Sequence, residues 1–203
     1  MVTGSRMAVA ALSTSVALLS AACAEAPRPA DALNLTSPTV AGPAVVAADP
    51  MAPAQPTTLR IDAIDASSSL VPLGLNADRT VQVPPVSEPM QAGWYRLGPT
   101  PGSRGPAVIL GHVNAGGHDG IFARLTQLKP GDQVRVGRAD GATAVFTITK
   151  LEQVPKSAFP TRAVYGDTPD AQLRLITCGG AFNAANRSYL DNIVAFATLT
   201  AVA

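Results

Sequence analysis

From Thr58 to the end of the chain, apolar and polar residues alternate in short runs separated by Gly, Pro, Asn and Asp. "LRIDAI", beginning at Leu59, alternates with the period of two that marks a half-buried strand. "AVIL" from Ala107 is a short buried run, and "DQVRVG" from Asp132 alternates again. "RADGA" supplies an Asp140-Gly141 turn before "TAVFTITKLEQV", which predicts a hairpin. "QLRLITC" and "NIVAFATL" complete the set of strands. Helix is scarce. "GIFARLTQL" from Gly120 predicts two turns, with Ile121, Leu125 and Leu128 on one face and "KPGD" as the stop. "FPTRAVYGDTP", from Phe159 to Pro169, reads as a loop with one turn of helix, placed to wall a groove. Many short strands without regular helical spacers predict a mostly-β fold, a closed or nearly closed barrel rather than a parallel α/β sheet.

The chain before this region has a different pattern. From Ala24 to Pro56 about half the residues are Ala or Pro, with neither strand nor helix periodicity, so a disordered linker is expected over 24–58. In an extended polyproline-like state it reaches up to ~100 Å. Ahead of it, "MVTGSRMAVAALSTSVALLSAACAEA" places Arg6 before an apolar run from Met7 to Ala22, the pattern of an export signal over 1–23. The run falls short of the ~20 residues of a spanning helix. Small residues ahead of Cys23 resemble the lipobox of bacterial lipoproteins, which makes Cys23 a candidate lipidation site. Ser20 stands where that pattern wants an aliphatic residue, so lipidation, cleavage near Ala22 or Ala24, and a retained anchor all stay open. Residues 59–203 form the expected folded domain, outside the cytoplasm and tied to the membrane.

A formal net charge of +1 gives no electrostatic reason for a nucleic-acid partner. The cysteine count says more. If Cys23 is lipidated or removed, Cys178 has no disulfide partner, and a lone thiol outside the cytoplasm is either reactive or a small buried hydrophobe. Alternation along "QLRLITC" puts Leu173, Leu175 and Thr177 on one face and Arg174, Ile176 and Cys178 on the other, with Cys178 at the strand's exit. Gly179 and Gly180 follow, leaving room for a peptide backbone and turning main-chain N–H groups toward a developing oxyanion.

A cysteine nucleophile needs a base, because at a pKa of about 8.5 only a few per cent is thiolate at neutral pH. Of the two histidines, His112 follows a short apolar strand and Gly111, whereas His118 lies in a Gly-rich loop and reads as solvated. For the positive group, Arg187 in "NAANRSYLDN" can reach back over the strand ends, and Arg174 is its rival, or else a barrel-surface charge.

With these residues placed, the chain resembles the sortases, the cysteine transpeptidases of Gram-positive cell envelopes. The resemblance runs from Leu59 to Thr198 and rests on "GWYRLGPTPGSRGPAVILGHV", "IFARLTQLKPGDQV", "FPTRAVYGDTP" and "LRLITCGGAFN" with "YLDNIVAFA", in that order. "GWY", "GHV" and "TCGG" point to the actinobacterial class F, with class E as the near alternative. The resemblance implies an eight-stranded barrel and no cofactor. It implies that Cys178 attacks an LPxTG-type sorting peptide, that His112 moves the protons, and that Arg187 stabilises the oxyanion or holds the peptide. Thr177 and Gly179 would line the groove. The partners it implies are a sorting-signal peptide of exported proteins and an amine acceptor in the wall or a lipid precursor. Many sortases carry their arginine at the start of the last strand, near Asp191 and Asn192 here, so Arg187 has to act from the preceding loop. "SLVPLGLNADRTVQVPP" has no acidic cluster like the calcium site of some sortases, so no metal is expected. The rivals are a cysteine peptidase of cell-wall peptides, which usually has Cys before His and on a helix, and a noncatalytic envelope-binding lipoprotein with the same barrel.

Overall fold

The computed structural model describes residues 45–203, so the expected export signal, Cys23 and most of the expected linker lie outside the described residues. Within them, β1 (Pro56–Ile61), β2 (Ala66–Leu73), β3 (Ala92–Tyr95), β4 (Gly105–Leu110), a small hairpin of β5 (Asn114–Ala115) and β6 (His118–Asp119), β7 (Gln133–Arg138), β8 (Thr143–Pro155), β9 (Ala171–Asn183) and β10 (Ser188–Val202) follow in order. Eight of them close a barrel in the order β1-β2-β3-β4-β9-β10-β8-β7, as the alternating pattern and the family resemblance predict. Pairing is antiparallel except at β2 with β3 and β4 with β9. The Asp140-Gly141 turn joins β7 to β8, with Gly141 at φ +85°, the left-handed conformation that glycine adopts without penalty.

The inward positions fill the barrel. Leu59, Ile61, Ile109, Phe146, Ile148, Leu173, Leu175 and Leu199 are all fully buried. Burying each such side chain contributes about 1.5–3 kcal/mol, which makes the barrel a packed core and leaves its rim for chemistry. The segment before Leu59 belongs to this body. Ala48 N–H donates to Leu199 O, Ala48 and Met51 pack on the core, and β1 begins at Pro56.

"GIFARLTQL" departs from the expected two-turn helix. Ile121, Leu125 and Leu128 are buried as their spacing requires, and so is Phe122, but the backbone makes successive turns and a single 3-10 turn at Leu125–Gln127. The reason lies in its amides. Ala123, Leu125, Gln127 and Leu128 N–H donate three residues back, to Gly120, Phe122, Arg124 and Leu125 O, which closes tight turns instead of α-helical ones, while Gly120, Ile121 and Phe122 N–H dock the segment on Val113, Pro89 and His112 O. The "FPTRAVYGDTP" segment does form one short helix, α1 (Thr161–Tyr165). α1 buries Val164 against Val108, Ile176, Val194 and Phe196, closing a second apolar cluster on the outer face of the barrel.

Candidate active site

Strand β4 pairs with β9 only as far as Leu110 opposite Ile176; Gly111 N–H makes a last bond to Ile176 O at 3.2 Å, and β4 then turns away. Cys178 lies two residues beyond that point. It is not the end of its strand, as the sequence suggested: β9 runs on to Asn183, and Asn192 of β10 stands directly opposite the cysteine. The thiol therefore keeps a strand neighbour on one side and open space on the other.

The two glycines explain how the strand continues. Across the β9–β10 ladder Gly179 faces Asp191 and Phe182 faces Tyr189, so β9 carries one extra residue there. Gly180, at φ +73°, provides the left-handed position of a G1-type β-bulge. At Gly179 a Cβ would come within 2.6 Å of Ile193 Cγ1, closer than packing allows. Gly179 and Gly180 thus lie beside the cysteine, but neither lines the clefts around it.

Two clefts meet at the cysteine. The first is lined by Val83, Pro84, Leu110, Gly111, Ile176, Thr177 and Asn192; the second by Val113, Asn114, Phe182, Arg187, Ser188 and Tyr189. His112 and Cys178 line both, so the pair stands at their junction. Cys178 is a free, half-buried thiol.

His112 is held from two sides. Its backbone carbonyl accepts the Phe122 N–H bond, and a Cβ on Gly120 would collide with that same carbonyl, so only glycine lets the segment approach. Its ring lies 2.8 Å from Pro84 O through Nε2. A carbonyl only accepts, so Nε2 carries the proton and donates, which leaves Nδ1 as the ring nitrogen for exchange. Pro84 was not legible as a site residue, because a main-chain carbonyl arriving from a distant loop has no side-chain signature.

Arg187 sits at the end of the β9–β10 turn at φ +47°, a conformation that costs an ordinary L-residue roughly 1–2 kcal/mol. The turn is fixed by Asn183, whose Oδ1 accepts from Ala185 N–H at 3.0 Å and Asn186 N–H at 3.3 Å. The strained backbone places Arg187 on the second cleft with His112 and Cys178. Its rival takes another role. Arg174 faces outward as the alternation predicts, but it is only 3% exposed and is not a surface charge. α1 covers it: its guanidinium donates to Ala163 O and Gln172 Oε1 and stacks 4.5 Å from the Phe196 ring centre. Burial pulls its pKa down to about 10, the mark of a structural cation taken out of water.

Thr177 is 4% exposed, and its hydroxyl is the buried side-chain polar atom without a hydrogen-bond partner among the described residues. It lines the first cleft beside the cysteine. A buried unpaired hydroxyl costs about 1–3 kcal/mol, and this one lies on the inward face of β9 with Leu173 and Leu175, opposite Ile193 and away from the thiol's face. His118 lies in the exposed β6 and lines neither cleft.

A closed β-barrel whose rim holds a strand-borne cysteine, a histidine and an arginine around joined clefts has the architecture of a barrel cysteine transpeptidase. Comparison with known proteins agrees: the sortase domain matches residues 59–200. The fold is shared with sortase A of Corynebacterium diphtheriae in its lid-mutant form, 19% identical over 72% of this chain and 70% of that one, at a TM-score of 0.56. It is also shared with sortase C-1 of Actinomyces oris, 18% identical over 71% and 73%, TM-score 0.55. A third is the sortase D5 transpeptidase of Clostridium perfringens, 17% identical over 72% and 79%, TM-score 0.53. No curated protein matches the chain in sequence. The chain belongs to the sortase family.

Proposed function

We propose that the protein is a cell-envelope sortase of the class F type that cleaves an LPxTG-type sorting signal through a thioester on Cys178 and passes it to an amine. The observation that carries this reading is that His112 and Cys178 line both clefts, with Arg187 in the second. A peptide held in the apolar first cleft has its scissile carbonyl beside the thiolate. With its proton passed to His112 Nδ1, the Cys178 sulfur attacks that carbon, Arg187 holds the oxyanion, and the C–N bond breaks as His112 gives that proton to the departing amine. In the second half an amine attacks the thioester, His112 takes its proton, and the thiolate leaves with the new amide formed. Pro84 O holds the imidazole through Nε2 so that the exchanging nitrogen keeps its place. Water at the same step gives hydrolysis, the peptidase side reaction. The N-terminal signal and the Ala/Pro-rich segment support a position outside the cytoplasm, membrane-anchored or lipidated at Cys23 and facing the wall.

The test is to incubate the full-length protein with an LPxTG-type peptide library and a small amine and read products by mass spectrometry. An acyl adduct on Cys178 together with amine-capped peptide is expected, with both lost in Cys178→Ala. No adduct, and a thiol that alkylates only after unfolding, would point to an envelope-binding module instead.

A further inference from the structure

The two clefts differ in chemistry. The first is walled by Val83, Pro84, Leu110 and Ile176, whereas the second presents Asn114, Arg187, Ser188 and Tyr189 and has no carboxylate in its lining. Across the second cleft, Asn114 Nδ2 donates to the Tyr189 hydroxyl at 2.6 Å, linking the hairpin that follows His112 to the strand that follows Arg187. The Tyr189 ring is fixed by an edge-to-face contact with Phe182, centroids 5.1 Å apart. This bond uses one amide proton and one lone pair. Neither the phenolic proton nor Asn114 Oδ1 is used by another hydrogen bond among the described residues, so the pair offers one donor and one acceptor side by side. An amide is the group that answers both, with its C=O and its N–H.

Resting on the transpeptidase reading, we propose that Asn114 and Tyr189 form the acceptor subsite and select amines that carry an amide one carbon away. The amine that leaves in the first half-reaction is the new N-terminus of the departing peptide, so it has this structure. The entering amine attacks the same acyl carbon that the leaving one departed from, so an amine of the same structure can use the contacts the leaving one gave up.

The experiment offers the full-length protein a sorting peptide with glycinamide or n-propylamine and measures the ratio of amine-capped to hydrolysed product. Both products arise from one thioester, so the ratio does not depend on how fast the thioester forms. Comparing variants cancels the intrinsic reactivity of each amine. Tyr189→Phe keeps the ring contact and removes only the hydroxyl; Asn114→Ala removes the amide. Each is expected to lower the capture ratio for glycinamide about five- to tenfold, the usual weight of one hydrogen bond, and to leave that for n-propylamine within about twofold. An unchanged glycinamide ratio in both variants overturns the assignment. So does an equal fall for both amines, which would mean that the pair only braces the two hairpins. If the wild type forms no thioester with any sorting peptide, the transpeptidase reading itself fails, and the acceptor subsite falls with it.

Discussion

Replacing Arg187 by glycine separates the side chain's chemistry from its strained backbone. At φ +47° the arginine costs roughly 1–2 kcal/mol in local conformation, which glycine avoids. Glycine in turn loses roughly 0.5–1 kcal/mol of extra chain entropy on folding. Arg187 makes no ion pair or side-chain hydrogen bond among the described residues, so little else changes. The net expectation is a stability equal to the wild type or up to about 1.5 kcal/mol higher, a shift of no more than about 3–6 °C upward in Tm. The rate should behave differently, because losing one preorganised donor at an oxyanion costs about 10²–10³ in kcat. Arg174→Ala is the matched opposite. It strips a buried cation from Ala163 O, Gln172 Oε1 and the Phe196 ring, and leaves acceptors unpaired under α1. About 2 kcal/mol of stability should go, with kcat/KM per folded molecule kept within a few-fold. Thermal melts and cleavage of a fluorogenic sorting peptide at a temperature where every variant is folded decide the matter. The reasoning is refuted if Arg187→Gly keeps the wild-type rate, or if Arg174→Ala is stable and inactive.

Three further outcomes follow from individual contacts. Thr177→Val removes the orphan hydroxyl in a near-isosteric swap, so it should raise stability by about 1 kcal/mol and keep kcat/KM within a few-fold; a destabilised variant would mean that the hydroxyl has a partner in the free protein. Gly120→Ala drives a Cβ into the His112 carbonyl and should lower both Tm and activity, whereas Gly117→Ala, whose Cβ meets nothing within 4 Å, should spare activity despite its strained φ of +81°. His118→Ala should keep activity within about twofold in the same peptide assay, since His118 is exposed and lines neither cleft; a loss comparable to that of His112→Ala would move the proton-transfer role.

The barrel was legible because each strand has one face on the core, which the period of two reports in "DQVRVG" and in the first half of "LRIDAI"; the strand ends at Ile61, and Asp62–Ile64 is a 3-10 turn that buries Ile64 at the same spacing. What escaped has specific causes. The apolar spacing in "GIFARLTQL" was real, yet spacing reports burial and not backbone, and the later amides bond three residues back instead of four. Alternation put Arg174 on the outer face correctly, but nothing in it says that α1 covers that face. Asn114 and Tyr189 lie 75 residues apart and meet through a hydrogen bond that no local pattern encodes.

The glycines after Cys178 were the most misleading signal, and the way they misled explains the site. Gly-Gly after an apolar run reads as the end of a strand, and a strand end explains exposure of the thiol. The structure reaches the same exposure by another route. β4 leaves β9 at Ile176, so Cys178 loses its neighbour on one side while Asn192 still pairs with it on the other. The bulge at Gly180 lets the β9–β10 hairpin twist beyond the barrel and carry Arg187 back to the second cleft. A thiol on a loose strand end would wander relative to His112, whose ring and backbone are both pinned. One held in a two-stranded overhang stays in register with a fixed partner and remains open to substrate, the combination of rigidity and access that positioned nucleophiles require.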